Sequence, residues 1–182
     1  MIPHKWEDAK NFTEGLAPVR NDNFLWGYID KTGEVVIPYT WSDAYCFSEG
    51  LAPVKGVKSK KYGFIDKTGK LVIPHKWEFL EFHNFHEGMA AVTFWCWFSK
   101  RWGFIDKSGK EVFPRRWKNV KNFSNGLAAV RDDNDMWGFI DKSGKEVIPC
   151  KWKEARDFSN GIAEVMDENG QWHYFRPVMK SR

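Results

Sequence analysis

Residues 102–112 read Trp-Gly-Phe-Ile-Asp-Lys-Ser-Gly-Lys-Glu-Val, and near copies begin at Trp26, Tyr62, Trp137 and, in degraded form, Trp172. The starts lie 36, 40, 35 and 35 residues apart. Self-similarity at a fixed period of this size marks a repeat architecture. Within the stretch, Trp-Gly-Phe-Ile reads as a strand. Asp106 with Gly109 three positions later specifies a type I turn closed by a left-handed glycine. The stretch is therefore a hairpin followed by the start of a further strand.

Working outward in the repeat that runs from Gly50 to Gly88, Leu51-Ala52-Pro53-Val54 reads as a first strand and Lys55 to Lys61 as a variable tip. Tyr62-Gly63-Phe64-Ile65 is the second strand. Leu71-Val72-Ile73 is the third, expected to end at Pro74 because proline cannot donate to a ladder. The connector from His75 to Gly88 carries Trp77 and Phe85. Each repeat is thus expected to be a three-stranded antiparallel meander followed by an irregular aromatic connector. The connector residues recur as Trp6, Trp41, Trp77, Trp117 and Trp152, and as Phe12, Phe47, Phe85, Phe123 and Phe158. Gly15, Gly50, Gly88, Gly126 and Gly161 follow, and are expected at positive φ where the connector re-enters a strand. The glycine after the second-strand Trp, as in Gly27 or Gly138, predicts close approach of another ring or backbone. Nine of the 11 Trp keep the period and are read as core packing.

The pattern Trp-Gly-(Tyr/Phe)-Ile-Asp-Lys-(Thr/Ser)-Gly-x-x-Val-Ile-Pro, then Trp, then Phe-Ser-(Glu/Asn)-Gly-Leu-Ala, resembles the WG repeat family of bacterial proteins. The resemblance implies a β-rich repeat module and brings no catalytic residues with it. The chain departs from the pattern at Tyr62 (for Trp), His173 (for Gly) and Arg176 (for Asp). The last two mark the final copy as a terminal strand.

The expected fold is a single domain, residues 1–182: an all-β repeat protein of five units, each a three-stranded antiparallel meander. Four units start near Trp26, Tyr62, Trp102 and Trp137, and a fifth is split between residues 1–25 and 172–182. Met1-Ile2-Pro3 reads as the tail of a third strand and Trp172 to Phe175 as a second strand without its third. This phase favours a compact, closed, propeller-like ring in which the termini share one unit, with an open stacked array as the alternative.

The net charge is +4 with both signs interspersed, which does not demand a polyanionic partner. The sequence opens without a secretory pattern and holds no apolar run near the ~18 residues of a membrane helix, so no membrane association is expected. The three cysteines, Cys46, Cys96 and Cys150, are odd in number and occupy different repeat positions. Reduced thiols in a cytoplasmic protein follow as the expectation.

Two insertions break the period: the connector from Trp77 to Phe85 is two residues longer than its equivalents, and 14 residues separate Gly88 from Trp102 where three other repeats have 11. The second insertion lengthens a hairpin around Thr93-Phe94-Trp95-Cys96-Trp97-Phe98-Ser99-Lys100-Arg101. Alternation puts Trp95 and Trp97 on one face and Phe94 and Phe98 on the other, an apolar surface suited to a partner. The equivalent tips differ in charge. Lys55, Lys58, Lys60 and Lys61 make one basic, and Asp132, Asp133 and Asp135 make another acidic. A constant scaffold with variable tips is the layout of an interaction surface.

The expected function is a non-catalytic protein–protein interaction module, a scaffold or a regulatory or inhibitory partner. Its partner-binding residues are Trp95, Trp97, Phe98, Lys100, Arg101, Lys58, Lys60, Lys61, Asp132 and Asp133. The alternative is a carbohydrate or cell-wall binding module. Mixed-sign tips argue against nucleic acid, and no small-molecule ligand or cofactor is expected. His83, His86 and Cys96 lack the paired spacing of a metal site. The turn residues Lys31, Lys67, Lys107 and Lys142 are expected to be solvated.

Overall fold

The computed structural model describes residues 6–78, 84–96 and 99–176, with the backbone alone at 94–96 and 99. Two compact units divide the chain: residues 1–85 with the turn 107–109, and residues 86–106 with 110–182.

In the N-terminal unit, β1 (Asp8–Ala9), β2 (Ala17–Arg20), β3 (Trp26–Ile29), β4 (Val35–Ala44), β5 (Leu51–Gly56), β6 (Tyr62–Asp66) and β7 (Leu71–Trp77) form one seven-stranded sheet in sequence order. The C-terminal unit holds three sheets. They are β8 (Met89–Cys96), β9 (Ser99–Asp106) and β10 (Glu111–Trp117); then β11 (Asn119–Val120), β12 (Leu127–Arg131), β13 (Trp137–Asp141) and β14 (Glu146–Trp152); then β15 (Glu154–Ala155), β16 (Ala163–Met166) and β17 (Trp172–Phe175). Each adjacent pair is antiparallel, so the all-β repeat reading holds.

The repeat differs from the expected three-stranded meander in two ways. First, the third strand does not end at its proline. β4, β7, β10 and β14 run through Pro38, Pro74, Pro114 and Pro149 to the connector Trp, which pairs with the first residue of the second strand: Trp26 with Trp41, Tyr62 with Trp77, Trp102 with Trp117 and Trp137 with Trp152. Between Trp26↔Trp41 and Tyr28↔Ile37 the register shifts, and Pro38 lies in that bulge. A bulge is where a sheet tolerates a residue with no N–H. Second, the connector is not wholly irregular. β1, β11 and β15 pair with the first strand of the following meander, and the end of β4 does the same for β5. The repeats ending at β4, β7 and β14 are thereby four-stranded, while β15-β16-β17 and β8-β9-β10 have three strands each among the described residues.

The bulge explains the recurring Trp-Gly pair. A Cβ on Gly27, Gly63 or Gly138 would sit 2.5–2.6 Å from the carbonyl oxygen of Ile37, Ile73 or Ile148 on the bulged strand. The expected close approach is therefore made by backbone. At the connector glycines positive φ is also found, and the residue before each is left-handed as well: Glu14, Glu49, Glu87, Asn125 and Asn160 have φ of 48–53°. Leu16 N–H donates to the Thr13 carbonyl and Thr13 N–H to the Leu16 carbonyl, both at 3.0 Å. This is a two-residue type I′ hairpin, the geometry that Asn-Gly favours and that Glu adopts only at some strain.

The three glutamates are held by lysines expected to be solvated. Lys67 Nζ donates to the Glu14 carbonyl and carboxylate, both at 3.1 Å. Lys107 does the same at Glu49 and Lys142 at Glu87, at 2.9–3.1 Å. The Glu14 and Glu87 carboxylates also accept from the Gly50 and Gly126 N–H groups. Each Lys therefore ties a turn of one repeat to the tight hairpin of the repeat before it.

The core lies where each connector Phe meets the second-strand ring of the meander that precedes it in sequence. Tyr28–Phe47, Phe64–Phe85, Phe104–Phe123 and Phe139–Phe158 have ring centroids 5.0, 5.0, 4.9 and 6.2 Å apart. All eight rings are buried. The tilted and edge-on geometries are those that aromatic quadrupoles prefer, worth about 0.5–1.5 kcal/mol per pair beyond area burial. Second strands such as β3 are buried at every residue, which leaves the hairpin tips as the variable surface.

Candidate functional site

Most tips share one backbone. Asn21 Oδ1 accepts from the N–H groups of Asn23 and Leu25 at 3.1 and 3.0 Å. Asp132 does so for Asn134 and Met136, and Asp167 for Asn169 and Gln171, at 2.9–3.0 Å. The same bonding closes the repeat turns at Asp30, Asp66 and Asp141. The Thr hydroxyl and the turn N–H groups hold the Asp30 and Asp66 carboxyls below the usual range. Asp132, expected in the partner-binding set, is thus also the residue that builds its own tip.

Two tips depart from this template. Around the 88–102 insertion, β8 and β9 extend through Phe94↔Arg101 and Trp95↔Lys100 to Cys96↔Ser99, three pairs beyond Thr93↔Trp102. At ~3.3 Å per residue the extension is about 10 Å. Trp97 and Phe98 lie outside the described residues, and the Trp95 ring is not described. Thr93, at the root of the extension, is fully buried and donates its hydroxyl to the Arg101 carbonyl at 2.9 Å. Lys100 Nζ sits 4.8 Å from the centre of the Trp102 ring. Arg101 reaches the next tip in sequence and pairs with Asp133 at 2.7 Å, which brings two of the sequence-derived site residues together. Asp135 in that tip is bound by Lys118 at 3.1 Å and Arg131 at 3.5 Å. The Lys118 contact holds its carboxyl below the usual range.

The second departure is the tip between β5 and β6. Gly56 N–H donates to the Lys61 carbonyl and Lys60 N–H to the Gly56 carbonyl, at 3.0 and 2.9 Å. The loop is one residue longer than the capped tips and has no Asn or Asp cap, although Lys60 at φ 52° keeps the left-handed residue that Phe24 and Asp135 supply in those tips. Lys58 and Lys60 are exposed, with no anionic partner among the described residues. Lys61 has Glu78 only at 4.0 Å.

The same repeat contains a cluster that the sequence reading missed. Elsewhere a basic connector residue lies over the second-strand Trp: Lys10 over Trp26 at 4.5 Å, Lys121 over Trp137 at 5.9 Å and Arg156 over Trp172 at 4.3 Å. Here Tyr45 replaces the cation and Tyr62 replaces the Trp, and their rings stand 6.2 Å apart. Tyr62 Oη donates to Asp43 at 2.8 Å, Lys10 Nζ lies 3.3 Å from the same carboxylate, and Lys10 also sits 3.8 Å from the Tyr45 ring centre. Burial, then the Asp43 charge, push the Tyr62 and Tyr45 hydroxyls up, so both stay protonated donors. Aligning the connectors position by position, Tyr45 against Lys10, Lys121 and Arg156, is the signal that would have found the pair. Burial raises the Cys46 thiol and pushes Cys150 up to about 12, which disfavours the thiolate at both. His83 lies outside the described residues, and no metal-binding group of His, Cys, Asp or Glu occurs among those described.

Antiparallel repeats of three or four strands with variable tips define a propeller-like β-repeat protein. In fold the chain is similar to BamB from Moraxella catarrhalis, with a TM-score of 0.53 and 11% identity over 94% of this chain and 61% of that one. It is likewise similar to Hsv2 from Kluyveromyces lactis, with a TM-score of 0.53 and 8% identity over 92% of this chain and 59% of that one. Both are β-propellers, and the chain spans about six tenths of their length. No curated protein matches the sequence. The WG containing repeat matches residues 1–23, 26–60, 62–94, 102–134 and 137–172, and the chain belongs to that family.

Proposed function

We propose that the chain is a non-catalytic protein-binding module, a scaffold or a regulatory partner of another protein. The observation that carries this is the contrast between scaffold and tips. One capped turn recurs at Asn21, Asp132 and Asp167 with different exposed residues, and two tips abandon it for an extended aromatic hairpin and a lysine loop. Repeat folds of this propeller-like kind commonly present variable loops to protein partners. The hairpin of Trp95, Trp97 and Phe98, flanked by Lys100 and Arg101, supplies the apolar anchor, and the charged tips supply a selective rim. The turn carboxylates, engaged by their own backbone, and the raised thiols support a role without catalysis, and the free thiols of Cys46 and Cys150 support a cytoplasmic location. No helix of the described residues is long and apolar enough to cross a membrane.

The test is affinity capture from host lysate with the wild type and with Trp95→Ala/Trp97→Ala, both checked by thermal melting. A protein held by the wild type and lost by an equally stable variant supports the reading. Equal capture by both removes the hairpin from the site.

A further inference from the structure

The charged tips do not stand equally. In the C-terminal unit the acidic tip is compensated from within: Arg101 pairs with Asp133, and Lys118 and Arg131 with Asp135. Asp167 is bonded by His173 at 2.8 Å. The loop from Lys55 to Lys61 in the N-terminal unit carries four lysines in seven residues. Lys55 stands in register between Asp43 and Tyr62, but the Asp43 carboxylate is already taken by Tyr62 and Lys10. Among the described residues Lys61 has only Glu78, 4.0 Å away. Lys58 and Lys60 have no anionic partner among the described residues.

The loop is also the one described tip whose backbone the repeat does not dictate. It lacks the Asn or Asp cap of the other described tips and leaves Val57 50% exposed beside the lysines. The ring substitutions Tyr45 and Tyr62 fall in the same repeat and adjoin it, since the Lys55 ammonium lies 5.3 Å from the Tyr62 ring centre. Folding requires none of this, because the shorter capped tip closes the equivalent hairpins. A concentrated, uncompensated positive charge is a surface shaped for a negative one, where it speeds encounter and rejects basic partners.

We infer that the lysine loop of the second repeat, Lys55 to Lys61, is the docking point for an acidic segment of a partner protein, with Val57 meeting an aliphatic residue of that segment. This deepens, and rests on, the reading of the chain as a protein-binding module. A protein segment is favoured over nucleic acid by the loop's own chemistry. It has no Arg fork for a phosphate and no exposed ring for a base, since Tyr62 is buried and bonded to Asp43. Val57 offers an apolar point that a phosphodiester backbone cannot use.

The experiment uses the full chain and a fluorescein-labelled peptide of eight glutamates around a central leucine, followed by anisotropy at 20 and 150 mM NaCl. The wild type is compared with Lys58→Glu/Lys60→Glu/Lys61→Glu and with Lys31→Glu/Lys151→Glu/Lys153→Glu, which makes the same change in net charge at exposed sites elsewhere. Melting curves confirm that both variants fold. The expected result is salt-sensitive binding by the wild type, a loss of about tenfold or more in the loop variant and a change within about threefold in the control. A control that loses as much as the loop variant, or a wild type that does not bind at 20 mM NaCl, overturns the inference. So does a 12-base-pair DNA duplex that displaces the peptide at lower concentration than unlabelled peptide does. A captured partner that binds the loop variant as tightly as the wild type would also overturn it, while leaving the protein-binding reading intact.

Discussion

The Trp-Gly glycines give the sharpest test of the packing. In Gly138→Ala the new methyl would lie 2.5 Å from Ile148 O, 2.7 Å from Cys150 N and 2.8 Å from Pro149 C. All three are backbone atoms of the bulged strand β14, so relief requires the bulge to move and strains the Trp137↔Trp152 pairing beside it. In Gly103→Ala the methyl meets Arg115 Cγ at 2.6 Å, a flexible side-chain atom, with the Arg115 Cα at 3.2 Å. Neither glycine has positive φ, so alanine incurs no backbone penalty at either site and gains the entropy that glycine forfeits in a strand. Overpacking against fixed atoms costs about 1–3 kcal/mol and the entropy gain returns about 0.5–1 kcal/mol. Gly138→Ala should therefore destabilise by about 1–2 kcal/mol, lowering Tm by roughly 2–8 °C for a chain of this size, and Gly103→Ala by under about 1 kcal/mol. Tryptophan fluorescence through a urea titration and a thermal melt measures both. Equal losses, or a larger loss at Gly103, would refute the argument that backbone proximity is what requires the glycine.

Two further predictions concern the turns. A double-mutant cycle on Glu87→Gln and Lys142→Met should show a coupling of about 0.5–1 kcal/mol that shrinks in 1 M NaCl, because the pair is half exposed and its charge part is screened; a zero coupling at low salt would reduce the staple to coincidence. Asp66 is held below its ordinary carboxyl value by the Thr68 hydroxyl and turn N–H groups. A lowered folded-state value means stability that is present above the unfolded value near pH 4 and is lost as pH falls through the folded one. Asp66→Asn keeps the acceptor oxygen without the charge, so its urea midpoint should fall less steeply below pH 4 than the wild type's. Parallel curves would mean the carboxylate adds nothing.

The fold was legible where its causes are local. The Asp-x-x-Gly turns, the connector glycines at positive φ and the tight approach at Gly27 and Gly138 follow from bonds and contacts that repeat with the sequence. The third strands ran past their prolines because a bulge accommodates a missing N–H, and an apolar run such as Leu71-Val72-Ile73 before Pro74 does not reveal a bulge. The short strands β1, β11 and β15 escaped because two residues are too few to show a period. Of the candidate site, Lys58, Lys60 and Lys61 were legible as charge. Their standing as the uncompensated tip was not, because it depends on Arg101 finding Asp133 and on Asp43 being taken by Lys10 and Tyr62.

The sequence alone determined the repeat, its period, its turn chemistry and the identity of its packing rings, since each is fixed by bonds over a few residues or by recurrence at a fixed interval. Only the tertiary structure decided that Lys67, Lys107 and Lys142 bind glutamates in the preceding repeat, that Tyr45 and Tyr62 replace a cation and a Trp together, and which tips keep free charge. Those facts depend on how one repeat stacks on the next. Such contacts join residues more than fifty positions apart in the lysine pairs, and no local pattern in the chain encodes that distance.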